Sequence, residues 1–203
     1  MPKLPNPAVG THFLEAFKTM VGRIEASIKA SGNKQLALPV RMFIAGGAAA
    51  HFYTARRMTD DVDATFSHRM LLPEDLEVSY RDTDGKARLL YFDRQYNDTF
   101  GLLHEDAYQD STPLKLRGTD PKVVEVRLLS PVDLAVSKLA RFAEHDREDI
   151  QALAEEGLLN SKDLKKRAAE ALKHYIGNPG PVKTSITLAC RVIDTAGQRR
   201  TTR

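Results

Sequence analysis

The stretch Val40-Arg41-Met42-Phe43-Ile44-Ala45-Gly46-Gly47-Ala48, followed by Thr59-Asp60-Asp61-Val62-Asp63-Ala64-Thr65-Phe66, decides how this chain folds. Residues 40–45 form a short apolar run between Pro39 and the diglycine, which predicts a buried strand. The glycines break it, and good helix formers from Ala48 to Ala55 follow, so the reading is strand, tight turn, helix. Residues 59–66 alternate acidic and apolar side chains, a period of two that predicts a second strand. Residues two apart on a strand share a side, which projects Asp61 and Asp63 together and turns Val62 away.

Two unshielded carboxylates at most about 7 Å apart repel each other unless a cation lies between them. Hard oxygen ligands of this kind suit Mg²⁺, or Mn²⁺, which takes one or two carboxylates and completes its shell with substrate phosphates and water. The glycines complement them, because a Gly-Gly turn entering a helix lets backbone N–H groups approach an anion closely. Alone, a diglycine is most often a turn, and Asp-x-Asp most often a surface strand. Their joint occurrence, with Thr59 twelve residues after Gly47, is what points to a phosphate and a metal meeting at one sheet edge.

Outward from this centre, Phe13, Phe17, Met20, Val21, Ile24 and Ile28 recur at helical spacing up to Gly32, predicting an amphipathic N-terminal helix. Residues 73–80 read as a short helix, and Asp82-Thr83-Asp84-Gly85 as a turn. Residues 87–92, 101–104 and 123–129 read as strands. At Ser130-Pro131 a serine cap and a first-turn proline open a helical region. Val132, Ala135, Val136, Leu139 and Phe142 form one stripe; Ile150 and Leu153 mark a second helix, and Leu164 to Tyr175 a third ending at Gly177. After a break from Gly177 to Pro181, Val182, Ile186, Ala189 and Ile193 mark the last. The expected class is α/β (α+β): a core with a small mixed sheet over residues 1–129 and a C-terminal helical region over 130–203.

The chain has 203 residues, 42% apolar and 28% charged, the composition of a globular protein with no need of disulfide or structural metal. Cys190 is its one cysteine and lacks the surroundings of a nucleophile; with no secretion signal at Met1–Gly10 and no run of eighteen apolar residues, a cytoplasmic protein off the membrane is expected. The net charge of +3 is uneven: from Lys162 onward ten Lys/Arg stand against three Asp/Glu. Such a tail hints at a polyanion, but a solvated helix face with a frayed Gln198-Arg199-Arg200 end is the preferred account, since basic termini are common and need no partner.

Ala45-Gly46-Gly47-Ala48 and Arg57-Met58-Thr59-Asp60-Asp61-Val62-Asp63 resemble the GG…RxTxDxD signature of the AbiEii-like nucleotidyltransferases, distant relatives of DNA polymerase β. Ser130 to Leu139, then Arg141 and Asp146-Arg147-Glu148-Asp149-Ile150, is similar to that family's later K-L…R…RD-x-x-D-I pattern, so the resemblance covers roughly residues 40 to 155. It implies transfer of a nucleotide from an NTP such as ATP. Gly46, Gly47, Thr59, Lys138 and Arg141 would bind the nucleotide, and Asp61 and Asp63, with Lys138, would serve catalysis. It also implies toxin-type enzymes of toxin–antitoxin or phage-defence systems, with tRNA or a protein as acceptor and a cognate antitoxin as partner. A third metal-binding carboxylate is expected from Asp93, Asp106 or Glu125, with Asp106 preferred.

Lys138, Arg141 and His145 fall at i, i+3 and i+7, one face of a continuous helix. Asp146 and Asp149 would anchor Lys138 or Arg141, cap the next helix or act in catalysis, the anchoring role being preferred. His104 reads as a ligand or base near the site, or as a structural histidine. Two competing functions stand beside the enzyme: a silent nucleotidyltransferase-like protein that binds nucleotide or a partner, and a plain nucleic-acid-binding module.

Overall fold

The computed structural model describes residues 4–32, 36–97 and 101–201. In chain order these form α1 (Thr11–Ser31), β1 (Val40–Ile44), α2 (Gly46–Thr54), β2 (Asp61–Val62), β3 (Ala64–Phe66), β4 (Glu77–Arg81), β5 (Ala87–Phe92), β6 (Thr112–Pro113), β7 (Val124–Leu128), α3 (Pro131–Ser137), α4 (Glu144–Glu155), α5 (Ser161–Ala171) and α6 (Pro179–Thr201). The class is mixed α/β. Residues up to Tyr96 with Thr112–Leu128 make one compact unit, and Asn97–Ser111 with Leu129–Arg203 another.

The first unit carries two small sheets, ordered β3-β1-β7-β6 and β2-β5-β4. The predicted β1 and α2 are present, and Phe43 and Ile44 pair with Thr65 and Ala64 of antiparallel β3. β7 lies parallel on the other side of β1, Val40 opposite Val124 and Ile44 opposite Leu128. One predicted strand over 59–66 is in fact two: β2 joins β5 in parallel, β3 joins β1, and Asp63 sits between them. The helix predicted over 73–80 is replaced by β4, which pairs antiparallel with β5 across the Asp82–Lys86 turn. Alternation of Val78 and Tyr80 with Glu77, Ser79 and Arg81 suits a half-buried hairpin arm, and cross-strand pairing outweighs the weak local preference.

α1 is the predicted amphipathic helix. Its apolar stripe from Phe13 to Ile28 is buried, and Gly32 ends it in the left-handed conformation at φ 57°. Phe17 meets Phe52 of α2 edge to face, their centroids 4.9 Å apart.

In the second unit, residues 101–104 form no strand; they lead into a series of turns over 105–110. Ser130 caps α3 as predicted, its hydroxyl accepting the Asp133 N–H, with Pro131 in the first turn. The helix stops at Ser137, however, and Phe142 takes φ 47° before α4 begins. Lys138, Arg141 and His145 therefore do not share a helix face: they occupy a C-cap, a turn and the next helix. The apolar stripe continues through Leu139 and Phe142, and this hid the corner from a periodicity reading. α6 starts at Pro179, two residues before the predicted end of the break, because both prolines fit a first turn that needs no N–H. Val182, Ile186, Ala189, Ile193 and Ala196 form its buried face, and the helix runs through Gln198-Arg199-Arg200, where fraying was expected.

Candidate functional site

β1 delivers the chain to Gly46, whose φ of 56° is open to glycine at little cost and turns the backbone directly into α2. A methyl group on Gly46 would lie 1.8 Å from Asp63 Oδ2 and 2.7 Å from its Cγ, so the Asp63 carboxylate rests on the glycine backbone. The Asp63 carbonyl accepts the Ala45 N–H at 2.9 Å, which pins the residue to the start of the turn. At Gly47 a methyl group would meet Thr59 Oγ1 at 2.7 Å and a terminal nitrogen of Arg57 at 2.8 Å. Both glycines are thus required by close approach: the first by an acid, the second by a hydroxyl and a guanidinium.

Thr59 is buried, and its hydroxyl donates to Asp61 Oδ1. That contact orients the Asp61 carboxylate from behind and leaves Thr59 inside the site wall. Asp61 and Asp63 are both half-buried and Val62 between them is fully buried, but Asp63 stands outside both strands, so the same-side projection expected of one continuous strand does not apply to the pair. β5 runs beside them in parallel, with Tyr91 opposite Asp61 and Phe92 opposite Val62. The Asp61 carboxylate pushes the Tyr91 hydroxyl above its ordinary pKa, and partial desolvation, Asp93, Asp60 and Asp63 push the same way.

Of the three candidates for a further acid, Asp93 stands nearest in register: its N–H donates to the Val62 carbonyl at 3.1 Å, one step past the β2–β5 pairing. Its carboxylate accepts the Gln95 N–H at 2.8 Å. Glu125 is held between Arg127 at 2.6 Å and Arg41 at 3.3 Å. Asp106 belongs to the second unit, where its Oδ2 lies 3.9 Å from His104 Nδ1. Among the described residues, no three His, Cys, Asp or Glu side chains gather as metal ligands would. Asp61 and Asp63 would be the donors, both hard oxygen, with Asp63 seated against Gly46. This fits Mg²⁺ or Mn²⁺ completed by phosphate and water better than a fully protein-coordinated ion.

The second motif is an ion-pair corner of the helical unit. Lys138 is buried, its ammonium 2.7 Å from Asp149 and 3.7 Å from Asp146. Asp146 also accepts two bonds of 2.8 Å from Arg141 and one of 2.9 Å from the Ala143 N–H. Burial alone would push its carboxyl up, but these bonds and the Lys138 and Arg141 charges hold it below the usual range. The anchoring role expected for the two acids is what their contacts describe. Arg141, 75% exposed at its side chain, presents the cation at the surface.

His104 accepts the Asp106 N–H at Nδ1, which puts its proton on Nε2, 3.5 Å from Glu170. Both of its nitrogens are engaged locally. Cys190 donates to the Ser161 carbonyl at 3.6 Å, and burial pushes its thiol up, which makes it a poor nucleophile.

A family model described as nucleotidyltransferase of unknown function (DUF6036) matches residues 23–179, more than three quarters of the chain. The chain belongs to this family. No curated protein and no solved structure matches it. The matched span takes in the diglycine turn, both aspartates and the Lys138 corner of this nucleotidyltransferase. Arg57 and Tyr91 are the neighbours of the diglycine turn and of β2 that sequence reasoning did not single out for a role, whereas Asp93 was among its three candidates for a further acid. Arg57 stood inside the quoted motif, while Tyr91 needed the β2–β5 register to be found. Among the described residues, no helix is long and apolar enough to cross a membrane.

Proposed function

We propose that the protein transfers NMP from an NTP to an RNA, tRNA foremost, or to a protein acceptor, as AbiEii-like toxin-type nucleotidyltransferases do. The observation that carries this reading is the seating of the Asp63 carboxylate on Gly46, beside Asp61 and at the entrance of α2. Asp61 and Asp63 would hold the metal. When bound, Mg²⁺ or Mn²⁺ neutralises phosphate charge and favours attack of an acceptor hydroxyl on the α-phosphorus with departure of pyrophosphate.

The chain's own residues bind and orient. The N–H groups opening α2, with the helix dipole behind them, meet phosphate charge, and the Arg57 guanidinium above Gly47 adds a cation there. Thr59 fixes the rotamer of Asp61, so the carboxylate pays little reorganisation on binding. Lys138 is neutralised by Asp149 and Asp146, and Arg141 is paired with Asp146 through two bonds, which favours a role for both in holding their corner.

The test is Mg²⁺-dependent incorporation of label from each of the four NTPs into total tRNA and into cell protein. Asp61→Asn and Asp63→Asn should each abolish incorporation with the thermal unfolding profile preserved; activity kept in both refutes the assignment. A second reading, a silent nucleotide-binding protein, draws on the covering of Gly47 by Thr59 and Arg57 and on the lack, among the described residues, of a three-ligand metal cluster. It predicts NTP binding with no incorporation into any acceptor.

A further inference from the structure

His51 is buried, 3% exposed, on the helix that begins at the diglycine, and no role has yet been given to it. Its ring lies edge-on to Phe13, centroids 4.6 Å apart. Nδ1 is 2.9 Å from the Arg57 carbonyl oxygen. A carbonyl only accepts, so Nδ1 carries the proton and the neutral ring has a bare lone pair on Nε2. Nε2 has no hydrogen-bond partner and is closed off from solvent. A histidine placed so gives up one of its two polar atoms to keep the other bond, and that bond is with the loop covering the site.

The route from that bond to the carboxylates is short. Ala55 ends α2 in the left-handed conformation at φ 54°, its N–H donating to the His51 carbonyl at 2.8 Å. The chain there doubles back along α2, which places the Arg57 and Thr59 side chains over Gly47. Thr59 in turn donates to Asp61. His51 therefore grips the returning loop twice, by its backbone carbonyl at residue 55 and by its ring at residue 57.

We propose that His51 is a positioning residue for the nucleotide site: its Nδ1–H holds the Arg57 carbonyl, and through residues 57–59 sets the Arg57 guanidinium over the diglycine and the Thr59 hydroxyl on Asp61. This rests on the nucleotidyltransferase reading above. A donor at the Nδ1 position is required and the rest of the ring is filling. Asparagine places its amide nitrogen where Nδ1 stands, whereas leucine fills the space without a donor. Burial pushes the His51 pKa down and keeps the ring neutral, in keeping with a fixed donor.

The experiment compares wild type, His51→Leu and His51→Asn. The readouts are steady-state transfer with Mg²⁺ and each NTP, and ¹⁵N spectroscopy of the imidazole in the wild-type protein. His51→Leu should raise KM for the NTP about three- to tenfold, the range commanded by one hydrogen bond, with kcat within about twofold. His51→Asn should bring KM back to within about twofold of wild type. The wild-type ring should show the neutral tautomer protonated at Nδ1. Equal KM values in the two variants, whether both normal or both raised, overturn the proposal, as does a proton on Nε2. If His51→Leu does not fold, a normal KM in His51→Asn supports the donor role and a raised one overturns it. A wild-type protein that neither binds nor transfers any NTP sinks the nucleotidyltransferase reading, whereas an active enzyme with the wrong tautomer sinks the His51 assignment alone.

Discussion

At Gly46 two demands meet in one residue, a left-handed backbone and an acid lying against the missing side chain. Alanine there would cost about 1–2 kcal/mol from conformation, and its methyl group would evict Asp63 Oδ2. Gly46→Ala should therefore abolish nucleotide incorporation and lower the unfolding free energy by at least that amount, measured by denaturant titration. Gly47→Ala is a milder case, since the atoms in its way are the ends of two side chains, one of them a flexible arginine. It should leave stability within about 1 kcal/mol while displacing Thr59 from Asp61, visible as a raised KM. The acids and the glycines were legible because residue type, order and spacing carry their chemistry. Arg57 over Gly47 was not, because its position depends on Ala55 turning left-handed, which nothing about an alanine announces.

Among the elements, the corner from α3 to α4 shows where periodicity misleads and charge pairing does not. The stripe through Leu139 and Phe142 reads as one helix, yet the chain breaks at Phe142 with φ 47°. What fixes the break is the cluster of Lys138, Arg141, Asp146 and Asp149. Removing Asp146 would leave the buried Lys138 with one partner and the Ala143 N–H without its acceptor. Asp146→Ala is expected to cost about 1–3 kcal/mol in chemical denaturation, since Asp149 still balances Lys138. Asp146 titrates lower in the folded state, so its contribution is complete above the ordinary value of about 3.9 and is lost as pH falls through the folded value. The acid limb of stability below about pH 4 should accordingly be shallower in Asp146→Asn. Residues 73–80 teach the converse lesson: their alternation was present, but only the partner β5 makes a strand of them.

For the molecule as a whole, charge and pH give the broadest tests. Because His51 is harder to protonate when folded, the unfolded chain binds more protons below its ordinary value of about 6.5, and stability declines as pH drops from there towards the folded value. Unfolding midpoints between pH 7 and 5 should fall in wild type and fall less in His51→Leu. The basic C-terminal part is an ordered helix, with Lys183, Arg191 and Arg199 on α6 outside its buried stripe. If tRNA is the acceptor, its affinity should drop linearly on a log–log salt plot, and charge-reversing two of these residues should reduce the slope by about two. The overall class and the C-terminal helices could be read in advance. The split of residues 59–66 between two sheets could not, since a run of eight alternating residues carries no mark of a change of partner.

That split has a mechanical meaning. Asp63 is the seam of the first unit: its own carbonyl is stitched to β1 through Ala45, and the residue just before it is stitched to β5 through Asp93. The tilt of its carboxylate is consequently a resultant of both sheets, like a rivet through two plates. Substitutions on the far edge of β4 or at the outer end of β7 should retune the acid by shifting one plate against the other, so the setting of this carboxylate is a property of how the sheets are joined and not of the motif alone.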